Sequence, residues 1–214
     1  MHVLITGANR GIGLSLADGY AARGADVSRT SRDGKTGVAL DVTDPAQHLA
    51  LARRLDGKAV DLLICNAGVY PDKGQDLSTG YPPEMWAEGF AVNVTGVFQT
   101  IQALLPNLEA AERGKIAILS SQMASQTRAP GSSYIYRASK AAALNLGRNL
   151  AVDLKPLGIA VGIYHPGWVR TDMGGGSAEI SVEEARDGLM DRLSALCLDT
   201  TGCFETWDGR PHAF

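Results

Sequence analysis

The stretch 2–13, HVLITGANRGIG, joins a short apolar run to a glycine-rich turn. The run 2–6 predicts a buried strand, and the apolar repeat over 11–23 predicts a helix. Glycines at such a junction permit a tight turn and a close approach of phosphate to the backbone, while the helix N-terminus offers free N–H groups and a partial positive charge. The stretch therefore predicts a dinucleotide-binding turn made of Gly7, Asn9, Arg10, Gly11, Ile12 and Gly13.

The same alternation of short apolar runs and longer helical patterns continues along the chain. Further strands are predicted at 25–29, 60–64, 115–119, 159–164 and 201–205, and further helices at 45–55, in a pair spanning 83–111, at 136–154 and at 181–197. Alternating strands and helices are typical of a parallel sheet covered by helices on both faces. The pattern predicts an α/β fold, a doubly wound sheet of about seven strands formed by one domain, 1–214.

Three turn-rich segments, 69–81, 122–134 and 172–180, follow predicted strands. They should meet at the carboxyl edge of the sheet, where open α/β sheets bind their ligands. Residues 206–214 resemble a short tail.

Composition argues against several other classes of protein. The chain has 214 residues, 45% hydrophobic content and a formal charge of −3, so no long-range attraction to nucleic acid or to anionic lipid is expected. No apolar stretch approaches the ~20 residues that cross a bilayer, and the opening residues are too short for a signal-peptide core. Three cysteines are few for a disulfide scaffold, and the four histidines share no ligand spacing. A cytoplasmic protein without a metal site is expected.

Six separated motifs, in order, resemble those of the short-chain dehydrogenase/reductase family, which has a Rossmann fold. The glycine motif is matched by Thr6, Gly7, Gly11 and Gly13; the later motifs are Asp41-Val42, Asn66-Ala67-Gly68, Asn93, Tyr136-x-x-x-Lys140 and Pro166-Gly167. The resemblance covers nearly the whole chain. It implies an NAD(P)-dependent oxidoreductase in which Asp41, Val42, Asn66, Ala67, Gly68, Pro166, Gly167, Val169 and Thr171 contact the cofactor.

A carbonyl reduced by a nicotinamide needs a proton for the developing alkoxide, and the protein must supply it. A neighbouring ammonium can make a tyrosine a stronger acid by stabilising its phenolate. Tyr136 and Lys140 are four residues apart on a predicted helix, so both project from one face. Tyr134 has Ala138 at the equivalent position and so lacks this partner.

By the same resemblance, Lys140 also binds the nicotinamide ribose, Ser121 holds the substrate carbonyl and Asn93 orients a water in a proton relay. Ser120 is adjacent to Ser121, and strand alternation lets only one of the two face the site. The alternative role for Ser121 is a cap at the start of a loop, and for Asn93 a helix-surface amide.

The end of the second strand bears on the choice of cofactor. NAD-preferring enzymes usually place an acid there for the ribose hydroxyls, whereas this chain has Ser31 and Arg32. Arg10 is a second basic residue, and a guanidinium can bind a 2′-phosphate through paired hydrogen bonds. NADP(H) is therefore predicted over NAD(H). The alternative role for Arg32 is that of an ordinary solvent-facing charge in a loop.

The local sequence around the site is most similar to the C-factor and sniffer group of carbonyl-reductase-like members. This similarity implies an aldehyde or ketone reductase with a small-molecule substrate. His165 replaces a frequent asparagine and receives no catalytic role. The glycine-dense segment 172–177 is interpreted as a lid or, alternatively, as a slack loop.

A signalling protein of C-factor type is the second hypothesis, and a sugar-nucleotide epimerase would need a larger chain. Family analogy implies a homodimer.

Overall fold

Seven parallel strands form one sheet in the computed structural model, which describes residues 1–214. The strands are β1 (His2–Ile5), β2 (Asp26–Ser31), β3 (Val38–Ala39), β4 (Leu62–Cys65), β5 (Lys115–Leu119), β6 (Ala160–His165) and β7 (Phe204–Thr206). Their order is β3-β2-β1-β4-β5-β6-β7. The chain changes direction across the sheet between β1 and β4, and open sheets bind ligands outside the carboxyl ends of strands at such a point.

Six helices cover the sheet. They are α1 (Gly11–Ala22), α2 (Pro45–Arg54), α3 (Pro83–Phe90), α4 (Gly96–Glu109), α5 (Tyr134–Leu154) and α6 (Val182–Ala195). A π-helical turn, Ala91–Thr95, joins α3 to α4, so the predicted helix pair is one nearly continuous helical segment with a wider turn in its middle. None of the helices is long and apolar enough to cross a membrane.

The core lies on both faces of the sheet because successive strand side chains point to opposite sides. Leu4 and Leu63 belong to a cluster that packs against α2, α4 and α5. Val3 and Ile64 belong to the other cluster, which packs against α1 and α6. This two-sided burial explains why most strands are continuous apolar runs.

Several predicted boundaries need correction. The polar second strand runs to Ser31 rather than ending at 29, because Thr30 and Ser31 pair with β3, a two-residue strand that the sequence did not reveal. Helix α5 begins two residues before the predicted 136. The last helix is 182–195 rather than 181–197, and the last strand is 204–206 rather than 201–205.

The carboxyl-terminal segment 206–214 folds back on the sheet rather than extending as a tail. The backbone N–H of His212 donates to the carbonyl of Phe204 at 2.8 Å. The guanidinium of Arg148 lies 3.9 Å from the centroid of the Phe214 ring, over its face. These contacts place the segment against β7 and α5.

Candidate active site

Helix α5 brings Tyr136 and Lys140 together. Both side chains are buried, and the Lys140 Nζ lies 5.7 Å from the centroid of the Tyr136 ring. The same ammonium donates a hydrogen bond to the carbonyl of Leu119, the last residue of β5, at 2.9 Å. The four-residue spacing thus places both groups on one helix face, against the carboxyl edge of the sheet.

Burial dominates the proton chemistry of this pair. It raises the pKa of Tyr136 to about 12, an effect that the Ser121 hydroxyl partly offsets. It lowers the pKa of Lys140 to about 8. The tyrosine is therefore not acidified in the free protein, contrary to the simple expectation from a nearby ammonium. A phenol with this pKa is protonated at neutral pH, which is the form that can donate a proton to a carbonyl oxygen.

A second tyrosine covers Tyr136. The Tyr70 and Tyr136 rings stack with centroids 4.1 Å apart and an angle of 18° between their planes. The Tyr70 hydroxyl shares a hydrogen bond with the hydroxyl of Ser133, immediately before α5. Sequence reasoning missed Tyr70; its only signal was its place in the predicted loop 69–81, at the carboxyl edge of the sheet.

The two adjacent serines after β5 point to different partners. The Ser120 hydroxyl donates to the carbonyl of Lys140 at 3.0 Å. Ser121 lies on the Tyr136 side, and its Oγ also accepts from the N–H of Met123 at 3.1 Å, capping a short 3₁₀ turn. The capping alternative for Ser121 is therefore observed. Its hydroxyl oxygen accepts one bond and still has a proton to donate, so the carbonyl-binding role stays a prediction.

Asn93 is buried within the π-helical turn rather than exposed on a helix. Its Oδ1 accepts from the N–H of Val69 at 2.9 Å, and its Nδ2 donates to the Val69 carbonyl at 2.9 Å and to the Ser139 hydroxyl at 3.0 Å. Ser139 donates in turn to the Tyr136 carbonyl at 2.9 Å. Both amide protons of Asn93 are thus used in joining the loop after β4 to α5.

The glycine-rich turn lies at the other end of the site, where β1 leads into α1. No side chain caps the first turn of α1, whose N–H groups can therefore serve an anion. Gly7 has φ of 66°, a value that favours glycine, and a Cβ on Gly13 would collide with the Asn66 amide. This arrangement fits a pyrophosphate.

The Asn66-Ala67-Gly68 motif is tied to this turn. The Asn66 Nδ2 donates to the carbonyls of Thr6 and Gly7 at 2.8 and 2.9 Å, and the Thr6 hydroxyl oxygen accepts from the N–H groups of Asn66 and Ala67 at 3.0 Å each. The Asn66 side chain therefore stabilises the conformation of the glycine-rich turn. Gly68 lies between Asn93 and Lys140, since a Cβ there would be 3.4 Å from the Lys140 Nζ.

The end of β2 presents a free cation. Arg32 is exposed and forms no salt bridge. The Ser31 hydroxyl donates to Asp33 Oδ1 at 2.9 Å, and the same carboxylate oxygen accepts from the N–H of Lys35 at 3.2 Å. The only acid of this segment is thus bound within its own turn. Ser31 itself is buried and has no free hydroxyl proton.

The adenine-side motif Asp41-Val42 follows β3. The Asp41 Oδ1 accepts from the N–H and the hydroxyl of Thr43 at 2.9 and 2.7 Å, and these bonds lower the pKa of the carboxyl. Val42 is buried. The aspartate therefore shapes its turn, with its charge retained at neutral pH.

The segment after β6 reaches across to the glycine-rich turn. Thr171 lies against Gly11, where a Cβ would be 3.4 Å from its methyl group. The Thr171 hydroxyl oxygen accepts from the N–H of Gly174 at 3.1 Å, and its proton is donated to the Val169 carbonyl at 3.3 Å. Pro166 and Gly167 lead into this segment.

Three residues of the glycine-dense segment 172–177 form hydrogen bonds with other parts of the chain. The Arg10 guanidinium donates to the Asp172 carboxylate at 2.8 Å, the Lys73 Nζ donates to the Met173 carbonyl at 3.1 Å, and the Trp168 Nε1 donates to the Gly174 carbonyl at 2.9 Å. These bonds join the segment to the glycine-rich turn, to the loop after β4 and to Trp168. Its role as a lid stays a prediction.

His165 lies apart from Tyr136 and Lys140. Its ring is buried and meets the ring of His212 edge-on, with centroids 6.1 Å apart. Burial lowers its pKa to about 4, so the imidazole is neutral near pH 7. Its ring therefore packs beside the carboxyl-terminal segment.

Residues 1–180 match the family model described as short chain dehydrogenase. Among curated proteins, the chain is 31% identical over 207 residues to the 3-oxoacyl-[acyl-carrier-protein] reductase FabG of Escherichia coli, covering 90% of this chain and 81% of FabG. It is 34% identical over 152 residues to C-signal of Myxococcus xanthus, covering 70% of this chain and 90% of C-signal.

Solved structures give the same picture over the whole chain. The NADPH-bound carbonyl reductase from chicken fatty liver superposes with a TM-score of 0.92 at 31% identity, covering 100% of this chain and 98% of that one. The carbonyl reductase Sniffer of D. melanogaster has a TM-score of 0.92 at 27% identity, covering 100% and 99%.

Proposed function

This oxidoreductase belongs to the short-chain dehydrogenase family, and we propose that it is an NADP(H)-dependent reductase that interconverts an aldehyde or ketone with an alcohol. The observation that carries the proposal is the buried pair Tyr136 and Lys140 at the same sheet edge as the uncapped N-terminus of α1. The domain 1–214 supplies both the cofactor site and the catalytic groups, since the residues proposed for both belong to one sheet and the helices and loops attached to it.

Tyr136 is the general acid of the reduction. Its phenol is protonated at neutral pH and would give its proton to the substrate oxygen as charge develops there. Ser121 donates its hydroxyl proton to the same oxygen and orients the carbonyl. Lys140, buried beside the phenol, stabilises the phenolate that remains and binds the nicotinamide ribose.

Asn93 has a supporting role in this scheme. Both of its amide protons are already donated, so a relay water would have to be bound by an acceptor: its Oδ1 or a backbone carbonyl of the π-helical turn. The bonds of Asn93 to Val69 and Ser139 keep that turn close to α5.

The cofactor supplies the hydride and accepts it in the reverse direction. The residues proposed to hold it are Gly7, Asn9, Arg10, Gly11, Ile12, Gly13, Ser31, Arg32, Asp41, Val42, Asn66, Ala67, Gly68, Tyr136, Lys140, Pro166, Gly167, Val169 and Thr171. Three of these act indirectly, because the Asn66 amide protons and the Ser31 and Thr171 hydroxyl protons are donated within the protein.

A preference for NADP(H) over NAD(H) follows from the charges at the ribose end. Arg32 is an unpaired cation, and Arg10 stands at the start of α1. Asp33, which could otherwise accept from ribose hydroxyls, is bound to Ser31 and Lys35. The chicken reductase that superposes on the chain is NADPH-bound, which supports the same choice.

Titration of the purified protein with NADPH and with NADH, followed by nicotinamide fluorescence, tests this preference. Arg32→Ala should weaken NADPH binding about tenfold, which is a typical loss for one charge-assisted phosphate contact, and should leave NADH binding within about twofold. Arg54→Ala, an exposed arginine in the last turn of α2, is the control. Tighter binding of NADH than of NADPH would overturn the preference.

A signalling role is the second candidate, and the 34% identity to C-signal is the observation that favours it. It differs from the first in requiring cofactor binding without turnover. NADPH binding combined with no oxidation of NADPH by any of a broad panel of aldehydes and ketones would favour it.

Two further properties are proposed with less bearing on the chemistry. A homodimer is proposed on family analogy, and the exposed Phe98 of α4 and Val152 of α5 offer apolar surface for one. Sedimentation of the wild type beside Phe98→Ser tests it. A cytoplasmic location is proposed because the three cysteines are free.

A further inference from the structure

Asp72 is a charged group that the proposed mechanism leaves unused. Its side chain is 0% exposed, on the loop that follows β4. It forms no salt bridge. A carboxylate can be buried without a cation only when strong hydrogen bonds compensate for the lost water. Its two oxygens accept from the backbone N–H groups of Ile135 at 2.8 Å and of Tyr136 at 3.2 Å.

These bonds replace an ordinary helix cap. The residue before α5, Ser133, makes no side-chain capping bond, because its φ is 51° and its hydroxyl is bound to Tyr70. A capping side chain normally accepts from the second or third N–H of the helix, which here belong to Ile135 and Tyr136. Asp72, more than sixty residues earlier in the chain, performs this role and also places its charge at the positive end of the helix.

The opposite side of the Tyr136 backbone is held as well. Its carbonyl accepts from the Ser139 hydroxyl, which accepts from Asn93. Asp72 therefore completes a set of bonds that fixes both polar groups of the Tyr136 backbone. It also attaches the loop that carries Tyr70, whose ring is stacked on the Tyr136 ring.

We infer that Asp72 is a positioning residue for Tyr136: it sets the place of the phenol relative to the substrate carbonyl by anchoring the N–H groups at the start of α5. The inference rests on the proposed function for its kinetic consequence. A displacement of about 1 Å between reacting groups can lower a rate about a hundredfold, so a loosened helix start would reduce kcat.

Asp72→Asn is the sharpest variant, because the amide keeps the volume but has one acceptor where the carboxylate has two. Its NH₂ group would face a backbone N–H donor, so one of the two bonds is lost. We expect kcat, normalised to the number of NADPH-binding sites, to fall about tenfold. The KM for the carbonyl and the Kd for NADPH should stay within about twofold, since Asp72 is fully buried and is not among the residues proposed to hold either ligand.

Asp44→Asn is the matched control. Asp44 is the cap of α2, where its carboxylate accepts from the N–H of Ala46 at 2.8 Å. This variant removes the charge of a cap of the same chemical kind, together with the acceptor of the Gln47 side-chain bond at 3.0 Å, and Asp44 has no bond to Tyr136. It should lower the melting temperature yet leave kcat per NADPH-binding site unchanged, which separates positioning from general loss of stability.

Hydrogen exchange supplies a readout that needs no substrate. The amides of Ile135 and Tyr136 should exchange slowly in the wild type and about tenfold or more faster in Asp72→Asn. If the variant does not fold, slow exchange of the Ile135 and Tyr136 amides in the wild type decides whether Asp72 caps α5, since uncapped N–H groups of a first turn exchange rapidly. Fast exchange in the wild type, or a variant with wild-type kcat, overturns the role of Asp72. Protected amides in a wild type that turns over no carbonyl would instead count against the proposed function.

Discussion

The guanidinium of Arg10 lies 2.8 Å from the carboxylate of Asp172, which joins the glycine-rich turn to the segment after β6. Both side chains are largely exposed, 65% and 78%, so the pair contributes at most about 1 kcal/mol. The pair nevertheless occupies a guanidinium that we assign to the 2′-phosphate. The proposed cofactor phosphate and the Asp172 carboxylate would therefore compete for one cation.

Removing the competing carboxylate should favour the phosphorylated cofactor. In Asp172→Asn, the Kd for NADPH should fall by up to about fivefold at low salt, which corresponds to about 1 kcal/mol, and the gain should shrink as salt is raised. The Kd for NADH should change little. Fluorescence titration measures both. Asp187→Asn, which removes an exposed partner of Arg186 at 2.7 Å on α6, serves as control. Weaker NADPH binding in Asp172→Asn would contradict the competition.

The pH dependence of reduction should report Lys140. Its pKa is lowered to about 8, so the ammonium that stabilises the phenolate is fully present below that pH and is lost as pH rises through it. The kcat for carbonyl reduction at saturating NADPH should therefore be level near neutrality and should decline above about pH 8, by at most tenfold per pH unit. Steady-state rates across the range measure it. A kcat that stays constant well above pH 9 would show that the ammonium is not needed.

The two serines after β5 should separate by function. Ser121→Ala should lower kcat/KM about tenfold to a hundredfold, because it removes the donor that we propose for the developing alkoxide. Ser120→Ala should lower the free energy of unfolding by about 0.5–1.5 kcal/mol, through loss of its bond to the Lys140 carbonyl, with a smaller effect on kcat/KM. Steady-state kinetics and thermal unfolding measure the two effects. The opposite ranking in kcat/KM would reassign the carbonyl-binding serine.

Much of the fold could be predicted because its strands are buried on both faces. The runs 2–6 and 115–119 are continuous and apolar, and the structure has strands there. β2 was harder, since its residues Asp26–Ser31 are mainly polar and depend on pairing with neighbouring strands. A two-residue strand such as β3 has no periodicity to detect, and the return of 206–214 depends on contacts made only in the folded chain.

The residues of the candidate site were also predictable only in part. Tyr136 and Lys140 could be paired from their spacing, because helix geometry relates residues four apart. Tyr70 and Asp72 could not be placed, because they lie in an irregular loop and their partners at the start of α5 are more than sixty residues away. The Arg10 and Asp172 pair is still more distant in sequence. Such contacts follow from strand order, which sequence patterns do not fix.

The proposed function depends most directly on Tyr136 as the proton donor in a carbonyl reduction. The decisive measurement is NADPH oxidation by a panel of aldehydes and ketones, with wild type, Tyr136→Phe and the control Tyr134→Phe compared at equal NADPH saturation. The wild type should oxidise NADPH with at least one carbonyl. At equal NADPH saturation, Tyr136→Phe should lose about a hundredfold or more in kcat, and Tyr134→Phe should stay close to wild type. Equal turnover by wild type and Tyr136→Phe would contradict the account.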